Sequence, residues 1–138
     1  MILESSEGIE HYLLEHRNFE ECILQSVQWH HFGTVIDLVF DYIWDVDGSI
    51  KPGNAPEVKT LRFRNVQELH VCNALNESMV LSPGDLTWGL SEVASVERVI
   101  DETEVAKYKH LPIPIYHLRC RWEGARQIDV IFGTLEVS

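Results

Sequence analysis

Two segments of the chain, 22–44 and 115–137, alternate apolar and polar residues with period two, and each turns back on itself about a short loop. In the first, Ile36, Leu38, Phe40, Tyr42 and Trp44 share one strand face, and Val35, Asp37, Val39, Asp41 and Ile43 share the other. Ile23, Val27 and Trp29 keep the same period. A two-residue turn at Phe32-Gly33 sets Trp29 opposite Ile36, Val27 opposite Leu38 and Ile23 opposite Tyr42. Only this register collects the apolar side chains on one face, because a slip of one residue turns every side chain over.

The second segment, IYHLRCRWEGARQIDVIFGTLEV, folds about Glu123-Gly124-Ala125. A three-residue loop pairs Tyr116 with Phe132, Leu118 with Val130 and Cys120 with Ile128 on one face, and Arg119 with Asp129 on the other. A four-residue loop would put Cys120 opposite a carboxylate. The stretch VKTLRFRNVQELHV, 58–71, is also strand-like, with Leu61 and Phe63 alternating with Thr60, Arg62 and Arg64. Pro83-Gly84 reads as a type II turn joining strands at Met79–Leu81 and Leu86–Trp88. Residues 91–107 suit helix or strand, and their β-branched content favours strand. One helix is expected, over EGIEHYLLEH at 7–16 behind a Ser5/Ser6 cap. The expected fold is mainly β (α+β): about eight short antiparallel strands in a curved sheet or sandwich, with a short N-terminal helix. At 138 residues, 1–138 reads as a single domain.

Charge narrows the function. Residues 1–50 hold Glu4, Glu7, Glu10, Glu15, Glu20, Glu21, Asp37, Asp41, Asp45 and Asp47 against the single base Arg17. That leaves −9 of the chain's −11 in its first 50 residues. Such a field repels nucleic acid and anionic membranes and attracts basic proteins. The acidic N-terminus is unlike a secretion signal, and no apolar run approaches a membrane span, so a cytoplasmic location is expected. Cys22, Cys72 and Cys120 lack the paired spacing of disulfides or a zinc site.

Asp37, Asp41 and Asp45 recur every four residues, about 13 Å apart along a strand. At that spacing they cannot share a cation or act as an acid–base pair. DVDGS at 45–49 lacks the later ligands of a calcium loop. His30-His31 point to opposite faces of a regular strand. No nucleophile elbow, Cys/His signature or phosphate-cradling glycine loop is present, so neither catalytic residue, metal nor cofactor is assigned. Core packing is the ordinary role for Trp29, Trp44, Trp88 and Trp122. Trp44 stands apart, because an aromatic ringed by acids has the make-up of a protein-binding hot spot.

The Asn18–Leu24 entry NFEECIL, the hairpin into IDLVFDY, the unit VKTLRFRNVQEL and the closing YHLRCRW…QIDVIFGTLEV resemble small bacterial immunity proteins of polymorphic or contact-dependent toxin systems. That resemblance implies a non-enzymatic protein that binds and neutralises a cognate toxin, with a basic toxin domain as partner. The partner-binding face expected on these grounds comprises Asp37, Asp41, Trp44, Asp45 and Asp47 with Glu20 and Glu21. Two alternatives stand beside it. One is a small-ligand or metal-binding enzyme whose pocket joins His30 or His31 to acids of another strand. The other is a structural β domain forming a homodimer through strand edges.

Overall fold

The computed structural model describes residues 1–45, 50, 57–81, 92–122 and 125–138. Within them lie nine strands in two antiparallel sheets. The five-stranded sheet has the order β1-β9-β4-β3-β2, from β1 (Ile2–Leu3), β9 (Thr134–Val137), β4 (Glu57–Arg64), β3 (Val35–Tyr42) and β2 (Ile23–His30). The four-stranded sheet has the order β5-β8-β7-β6, from β5 (Glu68–Cys72), β8 (Gln127–Phe132), β7 (Tyr116–Arg121) and β6 (Ser95–Arg98). The expected mainly-β fold with its N-terminal helix is the observed one.

Period-two alternation builds the core directly. Ile36, Leu38 and Phe40 of β3 and Leu61 and Phe63 of β4 are fully buried, and so are Leu118, Cys120, Val130 and Phe132 of the other sheet. Phe63 and Phe132 meet edge-on across the sheets with ring centroids 4.8 Å apart. Helix α1 (Ser6–Glu15) starts as its cap residue dictates, with the Ser5 side chain accepting the Gly8 N–H at 3.0 Å. It buries Ile9, Tyr12 and Leu13.

Both hairpin registers follow the alternation. Tyr116, Leu118, Arg119 and Cys120 face Phe132, Val130, Asp129 and Ile128. Trp29 faces Ile36 and Val27 faces Leu38. Four differences have physical causes. The ladder shifts between Leu24 and Ser26, so Ile23 faces Asp41 rather than Tyr42; Gln25 is one residue too many for the regular pairing. The first turn is a short 3₁₀ segment, His31–Gly33, with the same register as a two-residue turn. The strand expected at Met79–Leu81 is instead part of the short helix α2 (Glu77–Leu81), closed by a Val80 N–H to Asn76 carbonyl bond of 3.1 Å. Between 91 and 107 only Ser95–Arg98 is strand; Val105–Tyr108 is a 3₁₀ turn.

One further departure joins the layers. The 58–71 unit is two strands, β4 in one sheet and β5 in the other, and the chain crosses at Asn65, whose φ is 54°. Pro83-Gly84, Leu86–Trp88 and the loop around Asp47 lie outside the described residues. Among the described residues no helix is long and apolar enough to cross a membrane.

Candidate functional site

The connection from α1 into β2 departs most from ordinary backbone geometry. Arg17, Asn18 and Phe19 are consecutive residues with φ of 53°, 53° and 56°, and Glu21 follows at 64°. None is glycine, and left-handed geometry costs an ordinary residue about 1–2 kcal/mol. Hydrogen bonds over-determine the turn. The Phe19 N–H donates to His16 at 3.0 Å, Glu20 to Arg17 at 3.1 Å and Cys22 to Phe19 at 3.1 Å. Glu21 and Val93 are tied by a Glu21 N–H to Val93 carbonyl bond of 2.8 Å, and the Val93 N–H returns to Cys22 at 2.8 Å. The fully buried Phe19 ring anchors the turn against Phe40, centroids 4.8 Å apart.

This turn meets the end of β3. The Trp44 indole Nε1–H donates to the Glu20 carbonyl at 2.7 Å, and the Arg17 guanidinium carbon lies 4.4 Å from the centre of the Trp44 ring. A cation over the indole face is attracted by the ring quadrupole. Trp44 is half-buried, while Glu20, Glu21 and Asp45 are exposed. Asp41, beside Ile23 in the ladder, accepts from the Gln25 amide. Glu92 bridges Ile23, and Glu57 faces Tyr42. Six acids (Glu20, Glu21, Asp41, Asp45, Glu57 and Glu92) therefore share this corner with the bases Arg17 and Lys59. Lys59 pairs with Glu57 at 3.3 Å. The negative field reaches inward. Burial, with Glu21 and Asp41 adding to it, pushes the Cys22 thiol up to about 11 against the backbone hydrogen bond at Ile43.

Of the residues expected on that face, Trp44 is hydrogen-bonded to Glu20, Glu21 and Asp45 are their exposed chain neighbours, and Asp41 stands opposite Ile23 in the ladder. Asp37 does not join them. It is 3% exposed, and its oxygens are taken by Arg62, through Nε and Nη2 at 2.8 Å each, and by His30 Nε2 at 3.0 Å. Arg62 first, and His30 less, hold its carboxyl below the usual range against the opposing effect of burial. The alternation places Asp37 on the same face of β3 as Asp41, but Arg62 sits directly opposite it on β4 and takes up its charge. Asp47 lies outside the described residues.

Two polar hollows lie elsewhere. One, of about 350 Å³, is lined by Gln28, Asp37, Thr60, Arg62, Glu136 and Ser138. The other, of about 320 Å³, lies over the four-stranded sheet and includes Glu68, Lys107, His117, Arg119 and Asp129. There Asp129 accepts from His117 Nε2 at 2.6 Å, Arg119 Nε at 2.8 Å and Gln127 Nε2 at 2.8 Å. Glu68 accepts from the Tyr108 hydroxyl and pairs with His70, and the two hold its carboxyl low, while the bond to Glu68 pushes the Tyr108 phenol up to about 12. His30 thus does meet an acid of another strand, but His31 is a turn residue with φ of 48°. Among the described residues no group of three or more His, Cys, Asp or Glu is placed to hold a metal ion.

The left-handed turn is the part of the site that sequence reasoning missed. Residues 17–21 contain no glycine to flag it. The one available signal was Arg17, the only base in the first 50 residues.

No family model matches the chain, and no curated protein matches it significantly.

Proposed function

We propose that this chain is a binding protein of the immunity type, which seats a basic partner, a toxin domain, against the acidic corner around Trp44 and neutralises it by occlusion. The observation that carries this reading is the run of left-handed residues Arg17, Asn18, Phe19 and Glu21. A fold does not need an energetically costly turn to end a helix, since glycine there would be cheaper. The turn carries two adjacent exposed glutamates, and the indole of Trp44, capped by Arg17, is hydrogen-bonded to the carbonyl of the first. Such a surface offers an aromatic contact within an acidic rim, which suits rapid, salt-sensitive capture of a basic surface.

The test is association kinetics against the purified product of the neighbouring gene at several salt concentrations. Asp41→Asn with Asp45→Asn should slow association and flatten its salt dependence, with dissociation changed less. Trp44→Ala should weaken the complex by roughly tenfold or more. Association indifferent to salt and to these substitutions would remove the corner from any binding role.

A catalytic or ligand-binding reading has one observation in its favour. His117 is 5% exposed, its Nε2 is held by Asp129, and its Nδ1 meets no protein partner. An imidazole oriented by a carboxylate is the arrangement of a general base. Nδ1, however, is itself buried, and the charged groups around the hollow are engaged with one another.

A further inference from the structure

Glu21 and Asp37 enclose fifteen residues, CILQSVQWHHFGTVI, without a single Asp, Glu, Lys or Arg, in a chain of net charge −11. They include β2, one of the two edge strands of its sheet, the turn that follows and the first two residues of β3. Edge strands of soluble proteins are commonly guarded by charge. This one carries none and ends in exposed aromatics: Trp29 is 65% exposed and Phe32 fully so.

The turn holds these rings at a cost. His31 and Phe32 have φ of 48° and 60°, in a position where hairpins favour Asn-Gly. Gly33, at φ 89°, lies beneath the Trp29 ring, and a Cβ there would come within 2.9 Å of it. Three hydrogen bonds fix the loop. Thr34 donates its N–H (3.2 Å) and its hydroxyl (2.8 Å) to the His31 carbonyl, and Val66 donates its N–H to Thr34 at 3.0 Å. A rigid tip presenting two aromatic rings is preorganised for contact, so little ordering is needed on association.

We propose that Trp29 and Phe32 form the second half of the partner footprint: an apolar anchor that enters a hollow on the same basic protein that meets the acidic corner. This rests on the binding reading of that corner. The eight residues of β2 separate the two by about 25 Å, which fits within one patch of about 800 Å². Charge selects this occupant. A net −11 opposes both an anionic membrane and a second copy of the chain, whereas a basic protein drawn to the corner is carried onto the uncharged tip beside it. The acids then govern the rate of encounter, and the aromatic pair governs how long the complex lasts.

The test places p-benzoylphenylalanine at position 32, at position 45, or at the exposed Val71 on the other sheet, and irradiates cells producing the protein. The expected result is one and the same basic protein crosslinked from 32 and 45 and not from 71. With that protein purified, Phe32→Gly should speed dissociation roughly tenfold and leave the association rate and its salt slope alone. Phe32→Gly should also melt no lower than the parent, because the substitution relieves a left-handed residue and uncovers nothing. Crosslinking from 45 but not 32, unchanged dissociation, or a lowered melting temperature would overturn the anchor and leave the corner reading standing. Self-crosslinking from 32 would make the tip a self-association surface and overturn it equally. No crosslink from 45 would remove the corner reading, and the anchor with it.

Discussion

The Trp44 indole donates its Nε1–H to the main-chain carbonyl of Glu20 at 2.7 Å, joining the end of β3 to the turn that enters β2 across 24 residues of sequence. A carbonyl on a left-handed turn has no helical partner, and the indole supplies one. Trp44→Phe keeps most of the ring and removes the donor. The expected loss is about 1 kcal/mol, read as a lower urea midpoint with unchanged slope.

Glu21 sits at φ 64° with its side chain exposed. Glu21→Gly should therefore stabilise the protein by about 1 kcal/mol while removing one acid from the corner. Thermal melts should show the gain, and association rates with a basic partner the loss. A destabilised variant would mean that the Glu21 side chain, not the backbone, holds the turn.

Asp37 is buried against Arg62 and His30, and its carboxyl titrates below the ordinary range. A lowered folded value means that its contribution is complete above the unfolded value near 3.9 and is lost as pH falls through the folded one. Asp37→Asn should cost about 2 kcal/mol at neutral pH. It should also flatten the fall in stability below pH 4, measured by urea unfolding at stepped pH.

The sheets are pinned together by Phe63 and Phe132, both fully buried. Phe63→Ala should cost about 3–5 kcal/mol, the largest single loss among the substitutions considered, and should show in calorimetry as a large fall in melting temperature.

Three free cysteines differ in setting. Cys72 is exposed, while burial pushes Cys22 up to about 11 and Cys120 up to about 12. Thiolate is the reactive form. A thiol reagent at pH 8 should label Cys72 alone in the folded protein and all three cysteines after denaturation, as mass spectrometry would count.

Much of this molecule was legible in the sequence because strand pairing is a local code. Alternation along β3 and along β7 and β8 determined which side chains face inward, and with them the partners Trp29–Ile36 and Leu118–Val130. Ser5 marked the helix start. Tertiary structure decided the rest. Asp37 and Asp41 are equivalent by period, yet Arg62 stands opposite one and Val58 opposite the other, so only Asp37 is neutralised in place. Trp29 follows the inward pattern of its strand, yet β2 is an edge strand of its sheet and the ring lies over Gly33 in the open. The left-handed residues at 17–19 and 31–32 include no glycine; the buried Phe19 ring and the adjoining Glu21–Val93 bond hold the first turn, and the Val66–Thr34 bond adjoins the second, partners that lie outside the local sequence. Periodicity determines which face a residue takes. What stands across from it depends on strands distant in sequence, and that neighbour decides whether a carboxylate is buried or presented.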